Sequence, residues 1–396
     1  MYPHLIPQTS TRSSMQSTQF FLLLMCISVF AACAPEQGKQ QAETAPTAAP
    51  APNWELLVGT YTGQGSQGIY LLGVDKATGA LDSPRLVVET VSPSYLTMSK
   101  DRQYVYAVNE SQAGHVSSFR WNADRSQLIP VSRQPSQGDY PCYVELNGAE
   151  NLLAIGNYVT GNVLVFPVDA QGAIQDSPAV YQHQGSGPVK PNQESAHAHC
   201  VKFGANGRYL YAVDLGADQV ISYPVSERGE VGAATSRLAF DPGDGPRHLI
   251  FHPDKDLAFV VNELSGSVVS LSVDHEKGLL KKIDKASTLP DDFTGKNSCA
   301  DIHLSANGTF LYASNRGHNS IAVFSVDETG QLERRGIEPV RGEVPRNFTL
   351  SPDGRYLLAA NQRSNNITVF AVDPETGLLT FTGQETRLSQ PVVMKF

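Results

Sequence analysis

Short apolar runs separated by turn residues follow one another along most of the chain, and the last repeat shows the pattern most clearly. The predicted strands of this repeat are residues 348–350, 356–360, 367–372 and 378–382. Residues 351–354, Ser-Pro-Asp-Gly, predict a turn, because proline presets φ and glycine accepts a positive φ. Four antiparallel strands within about 45 residues are typical of one blade of a β-propeller.

The same unit recurs in one register. If position zero is set at the start of the first strand of each unit, an Asn or Asp follows 15 residues later. Position zero is occupied by Ser94, Cys142, His199, Arg247, Ala300 and Arg346. Units that repeat without internal slippage indicate one architecture built from copies of a single motif.

The two ends of the domain complete a further unit. Residues 55–60 and 68–75 have the pattern of a second and a third strand without a first, and residues 391–396 form a lone final strand. We therefore predict an all-β fold, a seven-bladed β-propeller whose last blade is closed by the N- and C-terminal strands. A linear solenoid is the alternative, but it would need polar capping repeats, which the sequence lacks.

Composition narrows the class of protein. Of the 396 residues, 41% are hydrophobic and 17% are charged, which is ample for a buried core. The net charge of -9 argues against nucleic acid as a partner. Apolar runs of about 18 residues are missing, so we expect no spanning helix in the mature protein.

The N-terminus predicts export. Residues 1–33 contain an apolar run that ends in Phe30-Ala31-Ala32-Cys33, which resembles a bacterial lipoprotein signal with lipidation at Cys33. Ordinary signal-peptidase cleavage is the alternative, followed by a cytoplasmic location. Residues 34–52, rich in Ala, Pro, Gln and Thr, predict a disordered tether, and residues 53–396 form the propeller. We expect a monomer in the bacterial envelope that contacts the membrane only through its lipid anchor.

Three cysteines remain in the propeller, namely Cys142, Cys200 and Cys299. Their number predicts no disulfide framework, and their spacing predicts no metal site. Small buried residues on inner strands are the simplest interpretation. A Cys200–Cys299 or a Cys142–Cys200 bridge is the alternative for an exported protein.

The residues with candidate chemistry are expected at one mouth of the central channel, which the first strands of the predicted propeller blades line. The first strand of each blade begins where the antiparallel second strand ends, so positions 0, 15 and 16 are expected to ring this mouth. Position 15 holds Asn109, Asn157, Asp214, Asn262, Asn315 and Asn361. Position 16 holds Glu110, Tyr158, Leu215, Glu263, Arg316 and Gln362. Charges that face one another there indicate a ligand site, with a structural salt-bridge network as the alternative. For the Asn residues the alternative is turn capping.

Two further features belong to this region. The longest interval between units contains a Gly- and Pro-rich loop, residues 184–197, which would cover the mouth. His197 and His199 form an H-x-H pair, but no third His or Cys ligand lies nearby, so we predict no metal. His303 shares a strand face with Asp301, and a lone core histidine is the alternative. We assign substrate binding to His197, Asn262, His303, Asn315, Arg346 and Glu110.

Several motifs together resemble one known family. They are Gly59-Thr60-Tyr61-Thr62, residues 192–199 (NQESAHAH), Gly245-Pro246-Arg247-His248, residues 261–264 (VNEL), residues 314–318 (SNRGH) and residues 345–348 (PRNF). Over about residues 54–396 the chain resembles the lactonase family of seven-bladed propellers, which includes a bacterial 6-phosphogluconolactonase and the fungal carboxymuconate-lactonizing enzyme. The resemblance implies an active site at His199, Arg247, Glu263 and Arg316, a lactone substrate, and no cofactor.

The function that follows is lactone hydrolysis, most simply of a sugar lactone. Glu263 or His199 would act as general base toward water, and we expect a raised pKa for Glu263 among apolar strands. Arg247 and Arg316 would stabilise the oxyanion or bind a substrate anion. A muconate-type cycloisomerase and a non-catalytic exported propeller that binds partners are the alternatives.

Overall fold

The computed structural model describes residues 53–396. The predicted export signal, the lipidated Cys33 and the tether of residues 34–52 lie outside the described residues. Within the described range the chain consists of strands and turns without a helix, so nothing there is a long apolar helix of the kind that crosses a membrane. The prediction of an all-β fold is confirmed.

The strands are numbered β1 to β28 in chain order. They are β1 Trp54–Thr60, β2 Gly68–Val74, β3 Arg85–Glu89, β4 Leu96–Met98, β5 Tyr104–Asn109, β6 His115–Trp121, β7 Leu128–Pro135, β8 Pro141–Leu146, β9 Leu152–Asn157, β10 Asn162–Pro167, β11 Ala179–Gln182, β12 Ala198–Phe203, β13 Tyr209–Asp214, β14 Gln219–Pro224, β15 Ser236–Ala239, β16 Pro246–Phe251, β17 Leu257–Asn262, β18 Ser267–Asp274, β19 Leu279–Ser287, β20 Ser298–Leu304, β21 Phe310–Arg316, β22 Ser320–Val326, β23 Leu332–Pro339, β24 Pro345–Leu350, β25 Tyr356–Asn361, β26 Asn366–Val372, β27 Leu379–Arg387 and β28 Pro391–Lys395.

These strands form seven four-stranded antiparallel sheets, which are the seven blades of a propeller. Six sheets use four consecutive strands, and the remaining sheet has the order β28-β1-β2-β3. In that sheet Val58 pairs with Met394 and Leu57 with Lys395. The predicted closure by the two terminal strands is therefore confirmed, and it leaves no blade of the ring incomplete.

Local sequence explains why the blades form where they do. In the last repeat, Gly354 has a φ of 73°, and its N–H donates to the carbonyl of Ser351 at 2.8 Å. The Ser351 hydroxyl donates to Asp353 at 2.7 Å. The turn thus uses the residues that accept its backbone geometry, and the flanking strands bury Phe348 and Leu357 against the neighbouring blade.

The first strand of most blades begins with a β-bulge, and this detail positions the site. In β16, Pro246 pairs with Asn262 and His248 pairs with Val261, so Arg247 is the extra residue. The same irregularity occurs in β8, β12, β20, β24 and β28. A bulge lets two successive residues point to the same side of a strand, which a regular strand does not allow.

The cysteines of the propeller are all buried and unpaired. Cys142, Cys200 and Cys299 therefore have the simplest of the predicted roles, as small residues on inner strands.

Candidate active site

Two arginines and one glutamate meet at the mouth where the inner strands begin. Arg247 Nε donates to Glu263 Oε2 at 2.9 Å, and Arg316 Nη2 lies 2.8 Å from the same oxygen. Arg316 Nη2 also donates to the carbonyl of Cys299 at 2.8 Å. Within residues 53–396, neither Arg247 Nη2 nor Arg316 Nη1 makes a hydrogen bond. One carboxylate thus holds two guanidinium groups, each with a free N–H₂ group.

The electrostatics of this cluster correct one expectation. Burial opposes ionisation of Glu263, but the charges of Arg316, Arg247 and Arg346 outweigh it and hold the pKa of this carboxyl below its ordinary value. The predicted raised pKa is therefore wrong, because the nearest charges are positive. Burial, with the repulsion of Arg247 and Arg346, lowers the pKa of Arg316 to about 10 against the attraction of Glu263. At neutral pH Glu263 and Arg316 are therefore both charged.

His199 stands beside this cluster as the bulged residue of β12. Its Nδ1 lies 3.7 Å from the Cys142 sulfur, and its ring meets the Tyr158 ring edge-on at 5.5 Å. Within residues 53–396, Nε2 of His199 makes no hydrogen bond, and the His199 ring meets the His248 ring edge-on at 5.4 Å. Burial and the charge of Arg247 hold the pKa of the imidazole well below its ordinary value. His199 is therefore neutral at physiological pH.

His197, the other member of the H-x-H pair, is held by backbone groups. Its Nδ1–H donates to the carbonyl of Tyr158 at 2.6 Å, and its ring stacks on the Tyr158 ring at 4.4 Å. Its backbone N–H donates to Asp214 at 2.8 Å. His197 thus stacks on the face of the Tyr158 ring, whereas His199, the bulged residue of β12, meets that ring edge-on.

A third arginine faces the cluster from β24. Arg346 Nη2 lies 3.8 Å from Glu110 Oε1, and its guanidinium lies 5.2 Å from the centre of the Tyr61 ring. The Tyr61 hydroxyl donates to the same Glu110 oxygen at 2.8 Å. Arg346 makes no hydrogen bond within the described part of the chain, so it is the most loosely held of the three arginines.

Below the mouth lies a further layer of polar side chains, of which the sequence indicated only Asp301 and His303. His248 Nδ1 donates to Asp301 Oδ1 at 2.8 Å, and Arg247 Nη1 donates to His248 Nε2 at 3.0 Å. His303, a predicted binding residue, donates from Nε2 to Asp301 Oδ2 at 2.9 Å. Asn347 donates to the same oxygen. His303 thus lies one layer deeper than the arginines.

The position-15 residues are all buried, and their side chains bond to groups of their own or the preceding blade. Adjacent residues of a strand point to opposite faces, and position 16 takes the channel side. Asn262 donates to the Ser267 hydroxyl at 2.9 Å, and Asn315 donates to the carbonyl of Thr288 at 2.9 Å. Both are fully buried. These contacts fit the structural alternative, and substrate binding by Asn262 and Asn315 stays a prediction.

The loop before β12 lies at the same mouth and is anchored. The Gln193 side chain is fully buried and donates from Nε2 to the carbonyl of Leu215 at 2.9 Å. The carbonyl of Gln193 accepts the backbone N–H of Gly187, and the backbone N–H of Gln193 donates to the carbonyl of Val189. These two hydrogen bonds hold the loop in a compact turn. The segment therefore forms a fixed wall beside Tyr158.

The repeat register of the sequence could have identified Tyr61 as a residue of the channel mouth. Thr60 pairs with Pro391 in the closing blade, so it takes position 15 and Tyr61 takes position 16. His248 and Asp301 follow position zero directly, and only the bulges bring that position to the channel side. Across residues 53–396 no group of three or more His, Cys, Asp or Glu side chains is arranged to hold a metal ion.

The fold and the site define a class of protein, a seven-bladed propeller with a charged and imidazole-bearing site at one mouth of its channel. A family model described as lactonase, 7-bladed beta-propeller, matches residues 55–396. The chain therefore belongs to the lactonase family of seven-bladed propellers, as its motifs indicate, and is an enzyme of that family.

Named relatives cover nearly the whole propeller. The 6-phosphogluconolactonase of Bacillus subtilis (strain 168) is 35% identical over 341 residues, which are 86% of this chain and 97% of that protein. The 6-phosphogluconolactonase of Formosa agariphila is 34% identical over 306 residues, covering 74% and 86%. The solved structure of a periplasmic gluconolactonase from Pseudomonas aeruginosa has a TM-score of 0.83 and 36% identity, and the match covers 86% of this chain and 98% of that one.

Proposed function

We propose that this protein is an exported hydrolase that opens the ring of a sugar lactone at the mouth formed by His199, Arg247, Glu263 and Arg316. The observation that supports it most is the pair of free guanidinium N–H₂ groups beside a neutral imidazole. Ester hydrolysis needs donors where negative charge develops and a base for water, and these groups supply both.

In this mechanism His199 is the general base. The Cys142 thiol lies 3.6 Å from the carbonyl oxygen of Ala198, so its S–H can donate there while the sulfur accepts Nδ1–H of His199. Nε2 then carries the lone pair and takes a proton from the attacking water. Glu263 is the second candidate, because two guanidinium groups share its Oε2 oxygen, whereas Nε2 of His199 makes no hydrogen bond within residues 53–396.

Addition of the water and cleavage of the ring follow this proton transfer. The water oxygen adds to the lactone carbonyl carbon, and the resulting oxyanion accepts hydrogen bonds from Arg247 Nη2 and Arg316 Nη1. The ring C–O bond then breaks, and the proton held by His199 passes to the departing alkoxide oxygen. The product is a hydroxy acid. Glu263 bridges the two arginines and lowers their mutual repulsion.

Arg346, with Glu110 and Tyr61, would bind the distal end of the substrate. The 3.8 Å separation from Glu110 leaves the Arg346 donors available to a hydroxyl or phosphate oxygen. Relatives carry the names 6-phosphogluconolactonase and periplasmic gluconolactonase, which differ in this distal group. The predicted export signal of residues 1–33 favours the unphosphorylated substrate, since phosphorylated sugars are intermediates of the cell interior.

The test compares initial rates of acid release from glucono-1,5-lactone and its 6-phosphate, with the uncatalysed rate subtracted. We expect turnover of the unphosphorylated lactone at least equal to that of the phosphate, and a loss on the order of 100-fold in His199→Ala. Arg346→Ala should raise KM more than it lowers kcat. Turnover of neither lactone above the His199→Ala rate would contradict the proposal.

A further inference from the structure

We infer that His248, held by Asp301, is a positioning residue that fixes the active-site guanidinium of Arg247. The inference rests on the proposed function for its kinetic consequence. It concerns a side chain that follows Arg247 directly and lies one layer deeper in the channel.

The partners of His248 determine its tautomer. A carboxylate only accepts hydrogen bonds, so the nitrogen that faces Asp301, Nδ1 at 2.8 Å, carries the proton. A guanidinium only donates, so the nitrogen that faces Arg247, Nε2 at 3.0 Å, carries the lone pair. Both bonds are satisfied only by the neutral Nδ1–H form of the ring.

Asp301 is itself fixed from several sides. Its Oδ2 accepts hydrogen bonds from His303 and Asn347, and its backbone N–H donates to Ser314 at 3.0 Å. Asn347 in turn accepts the backbone N–H of Met394 in the closing strand at 2.7 Å. Hydrogen bonds therefore run continuously from β28 to Arg247 across the inner strands of the propeller.

The consequence for Arg247 is a single orientation. Its Nε is bound by Glu263, and its Nη1 is bound by the carbonyl of Ala300 at 2.5 Å and by His248. Only Nη2 remains for the substrate. Without His248, rotation about the last side-chain bonds of Arg247 is resisted by fewer contacts, and the free N–H₂ group loses its fixed direction.

The ring of His248 also packs edge-on against Tyr95 at 5.7 Å, Tyr143 at 5.2 Å and His199 at 5.4 Å, and a phenylalanine ring would keep these contacts. Two substitutions separate packing from hydrogen bonding. His248→Phe keeps an aromatic ring and removes both hydrogen bonds. His248→Gln removes the ring but keeps an N–H donor for Asp301 and an oxygen acceptor for Arg247.

We expect kcat to fall about 100-fold in His248→Phe, with KM little changed, and about 10-fold or less in His248→Gln. His275→Phe, at a partly exposed histidine in the turn between β18 and β19, is the matched control and should keep full activity. A Phe variant as active as the Gln variant, or more so, would assign His248 to packing and overturn the inference.

A spectroscopic measurement on the full-length protein is independent of the variants and of any lactone. The ¹⁵N signals of His248 at neutral pH should show a protonated Nδ1 and a bare Nε2. An Nε2–H tautomer would overturn the inference. If no lactone is hydrolysed but the Nδ1–H tautomer is found, the proposed function fails while the positioning of Arg247 by His248 stands.

Discussion

Removal of the charge of Glu263 tests the electrostatic account of the site. Glu263→Gln keeps the size of the side chain but leaves Arg247 and Arg316 without the carboxylate that lies 2.9 and 2.8 Å from them. The Glu263 side chain is only 12% exposed, so solvent screens these charges weakly. Breaking a buried ion pair from one side costs about 3–5 kcal/mol of the free energy of unfolding.

This loss of unfolding free energy corresponds to a decrease in the melting temperature, Tm. An unfolding entropy of about 2.1 cal/mol/K per residue gives a propeller of this size on the order of 0.7 kcal/mol/K, so Tm should fall by about 4–7 °C. Inorganic phosphate should restore more of the stability in the variant than in the unchanged protein, because an anion replaces the lost charge.

The assay is thermal unfolding followed by circular dichroism, with and without phosphate. Glu333→Gln is the matched control, because its carboxylate pairs with Arg335 on the surface and is 73% exposed. We expect no measurable change in its Tm. An unchanged Tm in Glu263→Gln, with no added effect of phosphate, would refute the view that Glu263 neutralises two guanidinium groups.

Three further predictions concern different parts of the chain. His199 and His248 have lowered pKa values in the folded protein, so the unfolded chain binds more protons below about pH 6.5. The free energy of unfolding should therefore fall as the pH drops from there, by up to about 1.4 kcal/mol per pH unit for each group. Urea midpoints at pH 7.5 and 5.0 measure this dependence, and His248→Gln should make it less steep. Asn315→Ala should lower the urea midpoint and leave KM unchanged, because its amide is bonded to the carbonyl of Thr288 at the end of the preceding blade. A raised KM with an unchanged midpoint would restore the predicted binding role. Cys33→Ser should move the protein from the membrane to the soluble fraction after cell lysis, whereas Cys26→Ser should not, and membrane retention of Cys33→Ser would exclude a lipid anchor at this residue.

The repeat register predicted most of the fold because each blade carries its own turn signals. The Ser-Pro-Asp-Gly turn and the Asn at position 15 mark strand ends by local conformational preference, which needs no tertiary context. The final strand of residues 391–396 had no partner in its own repeat, and that lack predicted the closure by β28.

The site was predicted less completely, for a physical reason. Alternation assigns one of two adjacent residues to the channel, but the bulges bring both Arg247 and His248 there. A bulge has no clear signal in a single sequence, so the role of His248 was missed, and Asp301 was noted only as a strand neighbour of His303. The charge state of Glu263 was also misjudged, because its pKa depends on how three arginines converge in space.

The measurement that tests the account most directly is lactone hydrolysis by the purified protein at fixed pH, compared with an Arg247→Ala, Glu263→Gln double variant. Both proteins are followed by acid release, and folding of the variant is verified by circular dichroism. The account predicts turnover that falls by on the order of 100-fold or more in the variant. Equal rates in the two proteins on every lactone tested would contradict the assignment of hydrolysis to this mouth of the channel.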